Sequence, residues 1–110
     1  MKNRREVLVA FVDGKLKELF GKLEKSSPEL YKFVSRAIDD LKNNPFCGIH
    51  IPKRLIPRVY TQKYGIDNLW KYDMPKGWRL LYSAANSEVS IISIILEWMD
   101  HKDYERRFKY

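Results

Sequence analysis

The chain has 110 residues, is 45% hydrophobic and 32% charged, and carries a formal net charge of +7. That length suits one domain with a core of its own, and a 14% aromatic share excludes a disordered polyelectrolyte. No apolar run approaches the ~20 residues that span a bilayer, and the single cysteine, Cys47, rules out an intramolecular disulfide.

In chain order, Arg5–Val12 is rich in β-branched and aromatic residues and is broken by Asp13-Gly14, which predicts a first strand and a turn. The basic start Met1–Arg5 before this apolar run imitates a signal peptide, but acidic Asp13 and the helical pattern behind it argue otherwise. Leu16, Leu19, Phe20 and Leu23 then recur at helical spacing. Ser27-Pro28-Glu29 reads as a helix start, with Ser27 as the cap, and Leu30, Phe33, Val34, Ala37, Ile38 and Leu41 hold the 3.6 period until Asn43-Asn44-Pro45. An antiparallel helical hairpin is expected.

Phe46–Ile66 shows no clear period and reads as a long loop with short extended pieces. Asn68–Met74 alternates with Trp70, Tyr72 and Met74 on one face. Pro75-Lys76-Gly77 closes a hairpin onto Trp78–Ala84, and Ala85-Asn86-Ser87 turns into Glu88–Trp98, which is apolar on both faces and is expected to be the longest and most central strand. Asp100 caps a last helical segment, His101–Phe108. The order β-α-α-β-β-β predicts a single α+β domain spanning 1–110. Its N-terminal strand and two-helix hairpin pack on a small, mostly antiparallel four-stranded sheet whose other face is partly exposed.

The charge is unevenly placed. Residues 41–66 hold five Lys/Arg and no Asp/Glu, so they set up a local positive field that attracts polyanions. Lys53, Arg54, Arg58 and Lys63 lie there among Tyr60 and Tyr64, a mixture suited to phosphate contact and base stacking. Arg106 and Arg107 at the end of the chain are further expected nucleic-acid contacts, which either stabilise the transition state or only grip the backbone. No CxxC or Cys/His cluster offers a zinc site, and His50 has no second ligand at metal spacing. A reducing, cytoplasmic setting is expected, with no metal, no cofactor and no membrane association.

Four short segments, in order, resemble the RelE/ParE toxin superfamily, and its archaeal RelE-like branch in particular. They are the helix end Ala37–Gly48 with Asn44-Pro45, the hairpin Asn68–Tyr72 to Gly77–Tyr82 with Arg79 before Leu80-Leu81-Tyr82, the strand Ile94–Trp98, and His101-Lys102-Asp103-Tyr104-Glu105-Arg106. The resemblance implies a toxin of a toxin–antitoxin pair, and for the RelE branch an endoribonuclease that cuts mRNA on the ribosome. The expected partners are RNA, the ribosome and a cognate antitoxin. The alternatives are a non-catalytic ParE-like inhibitor of DNA gyrase and an inactive RNA-binding relative. In metal-free RNA cleavage the 2′-hydroxyl attacks the adjacent phosphate, which calls for proton transfer and for charge neutralisation. Strand alternation turns Arg79 away from Trp78, Leu80 and Tyr82, so it is the expected phosphate ligand; the competing expectation is an ion pair with Asp73 or Glu97. His101 and Tyr104, three residues apart on one helical face, are the expected proton-transfer groups, with Lys102 stabilising the transition state. Packing of Tyr104 on Phe108 is the alternative.

Overall fold

The computed structural model describes residues 5–109, so the basic start at Met1–Arg4 lies outside the described residues. Alternation across Glu6–Phe11 forms β1, with Val7, Val9 and Phe11 turned inward. Asp13 caps α1 (Gly14–Ser26) by accepting from the Leu16 N–H at 2.9 Å. α2 spans Pro28–Asn43, with Pro28 in its first turn.

Ser27 makes no side-chain cap bond, contrary to expectation. Its backbone is in use instead: its N–H closes α1 on the Leu23 carbonyl at 2.8 Å, and its own carbonyl accepts from Tyr31 N–H at 2.9 Å. One residue thus joins the two helices, and Phe20 of α1 stacks on Tyr31 of α2 at 4.8 Å.

Among the described residues the sheet has five strands rather than four and is mixed. Its order is β1-β5-β4-β3-β2, with β2 at Ile49–Ile51, β3 at Leu69–Asp73, β4 at Arg79–Asn86 and β5 at Ser90–Met99. β1 runs parallel to β5, and every other pairing is antiparallel. β5 is the longest strand as expected, but β4 is the central one, because the short β2 adds an edge beyond β3. A β-bulge sets Leu81 opposite Glu97 and Tyr82 opposite Ile95, leaving Leu96 as the extra residue. Leu96 and Glu97 consequently share a face: Leu96 enters a core cluster while Glu97 reaches Arg107 at 2.9 Å.

Both faces of the sheet are covered. Leu23, Leu30, Val34, Ala37 and Leu41 of the helical hairpin pack on Met74, Leu80, Tyr82 and Ile95. The opposite face, expected to be partly exposed, carries a second core of Ile51, Tyr60, Leu69, Leu81, Leu96, Met99 and Tyr104. Its cover is α3 (Arg58–Tyr64), folded from the second half of the predicted loop, together with α4 (His101–Phe108). α3 ends on Gly65 in the left-handed region (φ 65°), where glycine carries no Cβ penalty. The architecture is α+β, a five-stranded mixed sheet between two helical layers. Among the described residues no helix is long and apolar enough to cross a membrane.

Candidate active site

The β3–β4 hairpin and the start of α4 meet at one end of the second face. The hairpin turns at Pro75–Gly77 with positive φ at Lys76 (59°) and Gly77 (79°). Gly77 faces His101 so closely that a Cβ on it would lie 3.1 Å from the His101 Cβ. Asp100 caps α4 by accepting from Asp103 N–H at 2.8 Å, as its place in the sequence predicts, and this sets His101 at the first helical position.

Arg79 opens β4 on the same face as Leu81 and Met99. Its Nε lies 3.0 Å from Asp73 Oδ1, within ion-pair range but off the line of an N–H hydrogen bond. Its Nη2 lies 3.3 Å from His101 Nδ1, and its guanidinium sits over the Tyr104 ring at 5.4 Å. Lys71 pairs with the same Asp73 at 3.3 Å and also lies over Tyr104, at 5.3 Å. Two cations therefore share one carboxylate and one aromatic ring.

A guanidinium can only donate, so His101 Nδ1 is the acceptor and Nε2 carries the proton, directed at Glu105 Oε1 3.4 Å away. The neutral tautomer is thus assigned from its partners. The site is a row, Lys71–Asp73–Arg79–His101–Glu105, of which Lys71 and Arg79 lie over Tyr104.

The sequence-predicted residues fall into three groups. Arg79 and His101 are brought together, though Arg79 is not the solvent-facing side chain expected: 16% of it is exposed, and Asp73 already pairs with it. Tyr104 is beneath them rather than beside them. It is 1% exposed and stacked on Phe108 at 4.4 Å, so it forms the floor of the site and a substrate phosphate cannot reach it in this arrangement. Lys102 is exposed next to His101.

The basic residues are dispersed. Lys53 and Arg54 stand exposed on a short 3-10 turn (Lys53–Leu55), Arg58 opens α3, and Lys63 lies in its last turn. Tyr60 is 1% exposed and Tyr64 is half-buried, so neither supplies the stacking surface that their place among the cations predicts. Arg107 is engaged with Glu97 at 2.9 Å and with the Tyr60 hydroxyl at 3.3 Å, fastening α4 to β5 and α3. Arg106 remains at the surface, 3.5 Å from Asp103. A groove of about 540 Å³ between α1, α3 and β5, lined by Leu16, Leu19, Lys22, Lys63 and Trp98, lies apart from Arg79 and His101.

Burial, and then the Glu97 carboxylate, push the Tyr60 phenol far above its usual range; burial and Asp40 do the same to Tyr72, and burial raises Tyr82 to about 12. These three stay protonated and cannot serve as bases. Partial burial, then Asp40, raise the Cys47 thiol, the wrong direction for a nucleophile. Lys71 and Glu105 do not stand out in the sequence; the signal for Lys71 is its place with Asp73 on the face of β3 opposite Trp70 and Tyr72.

Comparisons with protein-family models, with curated proteins and with solved structures find no match to this chain.

Proposed function

We propose that the protein is a metal-independent endoribonuclease of RelE-like type, the toxin of a toxin–antitoxin pair, cutting mRNA on the ribosome in the cytoplasm. The observation that carries this reading is the approach of Arg79 to His101 at 3.3 Å. It joins a phosphate-binding fork to a proton acceptor in a chain whose carboxylate-free segment attracts RNA.

In this mechanism the scissile phosphate takes up the Arg79 guanidinium, which neutralises charge on the phosphate oxygens. Released from Arg79, His101 Nδ1 is free to accept the 2′-hydroxyl proton, while Glu105 holds the Nε2 proton and the orientation of the ring. The 2′-oxygen attacks phosphorus, the bond to the 5′-oxygen breaks, and the imidazolium or Lys102 protonates the leaving oxygen. The products are a 2′,3′-cyclic phosphate and a 5′-hydroxyl. Lys71 keeps Asp73 partly neutralised, so Arg79 can leave its ion pair for the substrate.

A second reading, an RNA-binding relative that does not cleave, is favoured by the burial of Tyr104 and the engagement of Arg79 with Asp73. End-labelled mRNA on translating ribosomes separates the two. Cleavage with cyclic-phosphate ends should fall ~10²–10³-fold in Arg79→Ala and ~10²–10⁴-fold in His101→Ala. Binding without cleavage leaves the second reading. Neither binding nor cleavage sinks both and returns the gyrase-inhibitor class.

A further inference from the structure

The aromatic residues within the basic loop that are open to a ligand are not the tyrosines of α3. Residues 44–48 form a tight turn: Asn44 Oδ1 accepts from Phe46 N–H at 3.0 Å, and the Asn44 carbonyl accepts from Cys47 N–H at 3.1 Å. The buried Tyr82 hydroxyl fastens this turn to the sheet, donating to the Pro45 carbonyl at 2.9 Å and accepting from Gly48 N–H at 3.1 Å. A Cβ at Gly48 would come within 2.7 Å of both the Lys71 carbonyl oxygen and the Tyr82 hydroxyl, so the turn lies flush on β3 and β4 only because glycine is there.

A turn held in this way presents Phe46 outward, 43% exposed, with its ring 5.4 Å from Trp70. His50, opposite Trp70 in the β2–β3 ladder, meets the same indole edge-on at 4.9 Å, and Trp70 stacks on Tyr82 at 6.1 Å. An aromatic row therefore crosses the sheet from the buried Tyr82 through the half-buried Trp70 to Phe46 and His50, both in solvent. The surrounding charge is mostly positive. Phe46 and His50 lie inside the segment without carboxylates, Lys53 and Arg54 follow His50 within ~14 Å of extended chain, and the preceding Asp40 is engaged by Arg36 and the Tyr72 hydroxyl.

We propose that Phe46, His50 and Trp70 form a stacking platform for an unpaired base of single-stranded RNA, whose backbone phosphates meet Lys53 and Arg54. The chemistry favours RNA over an apolar peptide: the rings offer π-faces without a groove, and the adjoining segment is positive, with the one nearby carboxylate that acts on it, Asp40, already engaged by Arg36 and Tyr72. The platform lies on the hairpin face of the sheet, whereas Arg79 and Lys71 lie on the other, so it holds the strand and does not take part in bond breaking. This inference rests on the RNA-binding reading above and adds a second point of attachment to it.

The test uses the full chain and a short oligouridylate carrying one 2-aminopurine, read by fluorescence quenching and anisotropy. Stacking should quench the probe. Phe46→Ala with His50→Ala should abolish the quenching and weaken binding roughly 10-fold or more, while Phe46→Tyr should retain both. Both alanine sites are exposed, and an unchanged melting temperature verifies that the fold is intact. Unchanged quenching in the double variant, or wild-type binding without quenching, overturns the platform while leaving RNA binding standing. Quenching without any mRNA cleavage leaves the platform and removes the nuclease reading. Absence of binding overturns both.

Discussion

Replacing Tyr82 by Phe removes one oxygen and keeps the shape of a fully buried ring beside the bulge of β5. The hydroxyl makes two bonds, to the Pro45 carbonyl and from the Gly48 N–H, and Pro45 is itself buried. Each orphaned buried group costs about 1–3 kcal/mol, so the pair should cost about 2–4 kcal/mol, the Gly48 share being smaller because that residue is only half-buried. For a chain of this length each kcal/mol moves the melting temperature by about 4 °C, which places the loss near 8–16 °C. Thermal and urea unfolding followed by circular dichroism would read it, with the urea slope unchanged. The alkaline limb adds a second signature. Tyr82 titrates at about 12 in the fold against 10 when unfolded, so its contribution is whole below pH 10 and is lost as pH rises through 12. Phenylalanine has nothing to titrate there, and the gap between wild type and variant should narrow by roughly 2–3 kcal/mol over that window. A loss under ~0.5 kcal/mol at neutral pH, or a gap that stays constant to pH 12, would refute the claim that this hydroxyl fastens the turn.

Gly77→Val should cost about 1–3 kcal/mol at a positive φ and push His101 away, so RNA cleavage should drop more than RNA binding; equal losses in the two assays would contradict this. Tyr104→Ala should destabilise by about 3–5 kcal/mol, because the ring is the floor beneath Arg79 and Lys71, and an unshifted melting temperature would remove it from the core. Replacing Lys53, Arg54, Arg58 and Lys63 together by Ala should flatten the salt dependence of RNA affinity by about 0.7 in log–log slope for each phosphate that is no longer neutralised, measured by anisotropy across a salt series.

Period and punctuation make much of this fold readable. Leu30 to Leu41 at helical spacing, the alternation of Trp70, Tyr72 and Met74, and Asp100 before His101 each occupy the expected place. β2 and α3 escape notice because three residues and seven residues are too short for either period to register, and because Pro52 and Pro57 beside them read as loop signals. The second core follows from the same omission. Leu81 and Leu96 already show apolar residues on both faces of their strands, which requires a second cover, and the cover is hidden in the basic loop. Alternation places Arg79 on the correct face, but with no cover to set over that face its burial is not foreseeable. The platform is illegible for a different reason: Phe46 opens a stretch without a period, which says nothing of where its ring points, and the clasp on Tyr82 is what turns it outward.

The parallel pairing of β1 with β5 bears on when the molecule comes into being. Glu6 sits opposite Ser90, 84 positions later in the chain, and α4, which carries His101, follows β5. At about 5–20 residues per second, β1 waits on the order of several seconds for its neighbour during synthesis. Over that interval the hairpin can form from local contacts, but the mixed sheet cannot close, since its non-local pairings bring the largest loop-closure cost. Arg79 and His101 come together only after β5 is in place and α4 has docked. The pair is therefore absent from any nascent chain that has not yet been extended past α4.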